Sequence, residues 1–255
     1  MSYVFEQCPY ATHKKMYPKG YENALKVKFT FSLVSHVVLL IGLVIYVALG
    51  ILIFTERANL EKFNFVPLAY GIAQGIPFFL IEVSGFKQFK QMRALNQSNK
   101  RTADLNPRSL FSFISPLQLA LAVFACVLCV LLILVFNDFV FNSKVITLFI
   151  SLLLCNTLFF VLGYKLIHGK KLDPHQSAKD RHIATKTALS SFISVSILVS
   201  VFFIFNQSVD AYSLDIWEPL FNSLYWLLVM LLSTGQVLLN VNLQEVDFDV
   251  YKTAN

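Results

Sequence analysis

Charged residues are scarce in this chain: Asp, Glu, Lys and Arg make up 14% of its 255 residues, where a soluble domain carries roughly 25%. With 56% of the residues hydrophobic, a soluble fold of this size would lack the polar surface it needs to face water, so lipid is the expected solvent. Long polar runs between the apolar ones are also missing, which excludes a second independently folding core. Absent too are a nucleotide-binding glycine loop, a selectivity-filter pattern, an acidic metal motif and a paired nucleophile and base. No reaction is therefore specified. The net charge of +6 comes without a polar domain of interleaved aromatic and basic residues, so nucleic acid is not an expected partner.

Cysteine is sparse. Cys126 and Cys129 share a helix face inside an apolar run and read as small packing residues rather than a redox pair, while Cys8 and Cys155 imply no compartment. The segment after Met1 lacks the glycine of a myristoylation signal, and no small-residue cleavage site follows the first apolar run. That run is therefore expected to be retained as an anchor.

Six apolar runs stand out, at about 29–54, 65–84, 110–136, 145–164, 188–205 and 220–241. In lipid a backbone must satisfy its own hydrogen bonds, so each is expected to be a helix. The predicted fold is an all-α integral membrane protein with six transmembrane helices arranged as three consecutive hairpins. A short segment, 1–28, precedes the membrane domain 29–241, and a tail, 242–255, follows it. Pro77 in the second run predicts a kink. LFSFIS at 110–115 and LSSFIS at 189–194 echo each other, as do GFK at 85–87 and GYK at 163–165, at nearly equal offsets. Either a duplicated hairpin or shared membrane-entry patterning produces such echoes.

Basic residues segregate. Lys and Arg number five in 1–28, six in 85–109, six in 165–187 and one in 242–255, eighteen in all, against three in the alternate loops. This asymmetry places both termini and the two longer basic loops in the cytoplasm of a plasma or bacterial inner membrane. Of the two NQS sequons, Asn96 then faces the cytoplasm and Asn206 lies at the end of the fifth helix.

The densest polar stretch is KKLDPHQSAKDRH, 170–182. DPHQ has the form of a helix start: Asp173 as N-cap, Pro174 at the first helical position and Gln176 as the reciprocal cap. Asn106 and Pro107 repeat the pattern before the third run. On such a helix His175 and His182 stand about 10 Å apart along the axis, too far to share one zinc ion. No metal is expected there. Lys170, Lys171, Lys179, Arg181 and Lys186 suit an anionic lipid headgroup or a membrane-protein partner.

Polar residues inside the apolar runs are the remaining candidates. His36, Gln74, Glu82 and Gln236 are provisional lining residues of a transport path, with protonation of His36 or Glu82 biasing its opening. Gln118, Asn156, Ser233, Thr234 and Asn240 either extend that path or hold helices together, and Gly71 and Gly75 read as a close-packing face. A lone intramembrane histidine does not complete a haem cage, so no cofactor is implied. Three functions follow: a small multi-pass transporter or channel-like protein, a non-transporting scaffold or accessory subunit that meets lipid or another membrane protein, and an integral membrane enzyme. Substrate and oligomeric state are left open.

Overall fold

The computed structural model describes residues 2–55, 65–96, 109–214, 218–237 and 242–252, and among these there is no strand. Seven α-helices occur among the described residues: α1 (Ser2–Gln7), α2 (Tyr21–Phe54), α3 (Phe65–Leu95), α4 (Pro116–Phe136), α5 (Ser143–His168), α6 (Ala178–Tyr212) and α7 (Glu218–Met230). Five of them, α2 to α6, are long and apolar enough to cross a bilayer. The expected sixth run contains a shorter apolar helix, Leu220–Ser233. A single π turn, Leu231–Gly235, carries it on from α7, and its expected end at 238–241 lies outside the described residues.

The chain forms two compact units: 1–104 with 170–180 and 243–255, and 105–169 with 181–242. In the first, α2 and α3 pair along their length, with Phe31 against Phe78 and Tyr46 against Tyr70. The Tyr70 ring rests directly on Gly42: a Cβ there would fall 2.0 Å from its hydroxyl, so the ring would have to shift. Gly75, expected to serve close packing, faces open space, whereas Gly71 is buried. α3 runs unbroken through the buried Pro77. At roughly 51 and 46 Å, α2 and α3 exceed the ~30 Å of a hydrocarbon core, and both extend past the apolar runs into polar sequence at the same end of the hairpin.

The second unit is built around α6, whose buried residues are mostly small or polar: Thr185, Thr187, Ser191, Ser196, Ser200 and Gln207 sit with Leu189, Val199 and Val209. Lipid and apolar side chains offer each other no hydrophobic drive, so small residues and interhelical hydrogen bonds hold such helices together. Asn137, at the end of α4, donates to Gln207 Oε1 at 3.1 Å, and Ser196 on α6 donates to Asn156 Oδ1 of α5 at 2.5 Å. Gln236 accepts from Ser191 at 3.3 Å and donates to Ser194 at 3.1 Å, tying α6 to the segment after α7. One half of the bundle is closed by Cys129, Ile133, Val145, Leu152 and Val199. Exposed Leu131, Leu153 and Leu154 point outward.

One predicted helix start moves, and the other falls outside the described residues. α4 begins at Pro116, and Ser115 and Gln118 form a reciprocal capping box at 3.2 Å in each direction; the expected cap at Asn106 and Pro107 lies outside the described residues. α6 begins at Ala178 rather than Pro174. Ser177 Oγ accepts the Asp180 amide at 3.1 Å, so Asp173, Pro174 and Gln176 are not its cap.

Ile133 is fully buried and Leu131 is half exposed. Because an unfolded helix in lipid keeps its side chains solvated by hydrocarbon, Ile133→Ala is expected to cost only the cavity, about 1–2 kcal/mol, with Leu131→Ala near neutral. Denaturation of the two variants in mixed micelles checks this, and equal stability would contradict the packing of that half.

Candidate functional site

Polar chemistry gathers first around the loop 170–180, at the projecting end of the α2–α3 hairpin. Asp173 is buried and its two oxygens are used separately. Oδ1 accepts the His175 amide at 2.8 Å, and Oδ2 accepts the Tyr251 hydroxyl. The first contact is an Asx turn, which draws the aspartate away from capping. Arg93 holds the loop from α3, donating to the carbonyls of Leu172 at 3.0 Å and Lys171 at 2.6 Å. The tail adds the Asp247 amide on Asp180 Oδ2 at 3.3 Å and an exposed Lys179–Glu245 pair at 3.9 Å, the latter worth little in water.

The amino-terminal segment completes this cluster. Tyr17 donates to the Cys8 carbonyl at 2.6 Å, and Gln88 on α3 donates to the Met16 carbonyl at 2.7 Å. A cavity of about 300 Å³ lies between the segment and the hairpin, lined in part by Phe5, Tyr17, Lys19, Asn23, Gln88 and Leu243. Burial pushes the Tyr17 phenol up to about 12. Burial and the Asp173 hydrogen bond drive Tyr251 far above its ordinary range. His175 lies across the Tyr251 ring; burial lowers its pKa, Asp173 pulls it back up and Lys15 lowers it.

The second concentration is a groove of about 500 Å³ among α4, α5 and α6. Its walls are almost wholly apolar: Ala122, Val123, Cys126 and Val127 from α4, Phe159, Phe160 and Ile167 from α5, and Leu189, Phe192 and Ile193 from α6. Gly163 opens it, since a Cβ there would stand 3.0 Å from Leu189 Cδ2. The inner end is marked by the bonded pair Asn156 and Ser196, the outer end by Tyr164 and His168, whose rings lie 4.6 Å apart. From Asn156 to His168 is roughly 18 Å of helix, close to the ~15 Å of one leaflet's hydrocarbon. Beyond Asn156 the packed core of Cys129, Ile133, Leu152 and Val199 closes the way. The groove is blind.

No family model, curated protein or solved structure matches the chain.

The residues expected to line a path are not brought together. His36 is exposed on α2 and donates from Nδ1 to the Ser32 carbonyl at 2.6 Å, satisfying itself within its own helix. Gln74 is half-buried, and Glu82 is exposed roughly 26 Å along α3 from Phe65. Gln236 is engaged by Ser191 and Ser194. None of the four lines either cavity. Gln118 is consumed by the α4 cap, and Ser233 donates to the Val229 carbonyl at 2.6 Å. Among the basic residues, Lys171 reaches the Gln176 carbonyl at 3.3 Å and Arg181 the Gly169 carbonyl at 2.9 Å, while Lys170, Lys179 and Lys186 are exposed. Among the described residues no group of three or more His, Cys, Asp or Glu side chains is placed to hold a metal ion.

The depressed pKa of His175 sets a pH dependence for the tail. The docked state keeps the imidazole neutral, and the released state takes up a proton near the ordinary value of 6.5. Docking is thus at full strength above 6.5 and weakens as pH falls from there through the lower docked value. Protease cleavage of the tail should accelerate over that window. Tyr251→Phe leaves a buried Asp173 oxygen without its donor, a local cost of about 1–3 kcal/mol, and should give fast cleavage already at neutral pH; cleavage of this variant at the wild-type rate would contradict the contact.

Proposed function

We propose that this protein is a non-transporting membrane scaffold or accessory protein that holds the apolar chain of a lipid in the α4–α5–α6 groove. In this reading six spans cross a plasma or bacterial inner membrane, with both termini and the 170–182 loop in the cytoplasm. The supporting observation is the groove itself: apolar, one leaflet deep and closed at Asn156 and Ser196. A volume of about 500 Å³ is in the usual range for a ligand pocket. The expectation of a transporter draws no support from His36, Gln74, Glu82 and Gln236, and a blind apolar groove offers a permeating ion none of the ligands that replace its water.

Val123 lines the groove yet is 56% exposed, so Val123→Trp fills the space from its edge without disturbing the packed half. The variant should melt with wild type and retain at least fivefold less lipid through purification, as read by native mass spectrometry. Undiminished lipid in a folded Val123→Trp protein would overturn the reading. Orientation has its own test: Lys144→Cys should react with an impermeant maleimide on intact cells, and Lys170→Cys only after permeabilisation. Labelling of Lys170→Cys from outside would reverse the topology.

A further inference from the structure

We infer that the groove selects anionic phospholipid, seating one acyl chain among α4, α5 and α6 and the headgroup phosphate at the end marked by Lys165, His168 and Lys186. This rests on the lipid reading above and adds to it the chemistry of the headgroup. Ile114, Ile167 and Leu189 pack into a small buried cluster at that end of the groove. On α5, Lys165 and His168 flank Ile167; on α6, Lys186 stands one turn before Leu189. His168 lines the groove itself, Lys186 stands one turn from the lining Leu189, and Lys165 sits at the same end of α5 on another face of the helix. All three are exposed, and neither lysine makes an ion pair among the described residues.

Among the described residues of the unit, no ion pair joins an acid to either lysine. The stretches that build this end, 109–119, 160–169 and 181–193, contain neither Asp nor Glu. Asp173 and Asp180, the nearest acids in the chain, accept the Tyr251 hydroxyl and the Asp247 amide. At the opposite end of the same bundle the pattern differs, for Lys144 is paired with Asp210 at 2.8 Å. His182 adds another basic ring beside the lip, packed at 4.8 Å on Phe113. A mouth of exposed cations above a chain-length apolar groove matches a phosphodiester with an acyl tail and leaves the choline of a zwitterionic lipid without a partner. Lys165 and His168 also lie in the last turn of α5, where cations offset the helix dipole without any ligand. Lys186 is outside that turn, so it separates the two roles.

The test uses the purified full chain in detergent, incubated with equal amounts of phosphatidylglycerol and phosphatidylcholine of identical acyl chains, with bound lipid counted by native mass spectrometry. Wild type is expected to retain the anionic lipid about tenfold over the zwitterionic one. Lys186→Gln should cut that ratio at least threefold and Lys165→Gln/Lys186→Gln should bring it near one, with total bound lipid and melting temperature unchanged. Lys144→Gln should leave the ratio as in wild type. Equal retention of both lipids by wild type, or an equal fall in the ratio with Lys144→Gln, overturns the headgroup inference. If Val123→Trp then still removes both lipids, the groove reading stands without it; if Val123→Trp removes neither, that reading fails first.

Discussion

Interhelical hydrogen bonding by a few polar side chains is what the rest of the α4–α7 unit depends on. In hydrocarbon an apolar side chain gains little by leaving lipid for protein, whereas an amide or hydroxyl has no partner in the lipid at all. α6 collects such groups on the inside, and each of its neighbours reaches it through one: Asn137 from α4, Asn156 from α5 and Gln236 from the segment after α7. The bonds sit at different heights. Between the first two, Ile133, Val145, Leu152 and Val199 fill the space; past Asn156 the glycine and alanine positions leave it open. The groove is a by-product of where the polar fasteners stop.

A different solvent produces a different solution in the other unit. At the projecting end of α2 and α3, water competes for every hydrogen bond, and exposed pairs such as Lys179–Glu245 contribute little. What holds the loop and tail is burial of the groups that pair: Asp173, its Tyr251 donor and the aromatic rings of the amino-terminal segment. Arg93 adds two charge-assisted bonds to backbone carbonyls. The chain closes this cluster with segments far apart in sequence, so no part of it is stable as a local element.

The helices were legible because hydropathy is read residue by residue: the runs match the end of α2, the start of α3 and the end of α4, while α2, α3 and α6 continue beyond them into polar sequence. Starts were read less well. SPLQ at 115–118 and SAKD at 177–180 carry the serine-first capping signature, but DPHQ and NP look equally good locally, and only the tertiary claim of Tyr251 on Asp173 decides the first case. Close packing was assigned to Gly71 and Gly75 from their spacing, while the contact that demands glycine is Gly42, whose partner is an aromatic side chain on the next helix. The groove was not visible in the sequence at all. Its lining residues are ordinary leucines, valines and phenylalanines, distinguished from their lipid-facing neighbours only by which helix stands opposite. The rare polar residues that drew notice, Gln118, His36 and Gln236, turned out to be satisfying backbone groups or neighbouring hydroxyls.

The Tyr70 ring resting on bare backbone at Gly42 ties two positions twenty-eight apart into a single unit of variation. A methyl group at 42 would displace the Tyr70 ring, and a small residue at 70 would leave a gap beside glycine at 42. In related chains these two positions should therefore change together or not at all, so their joint drift would record how closely the first hairpin is held.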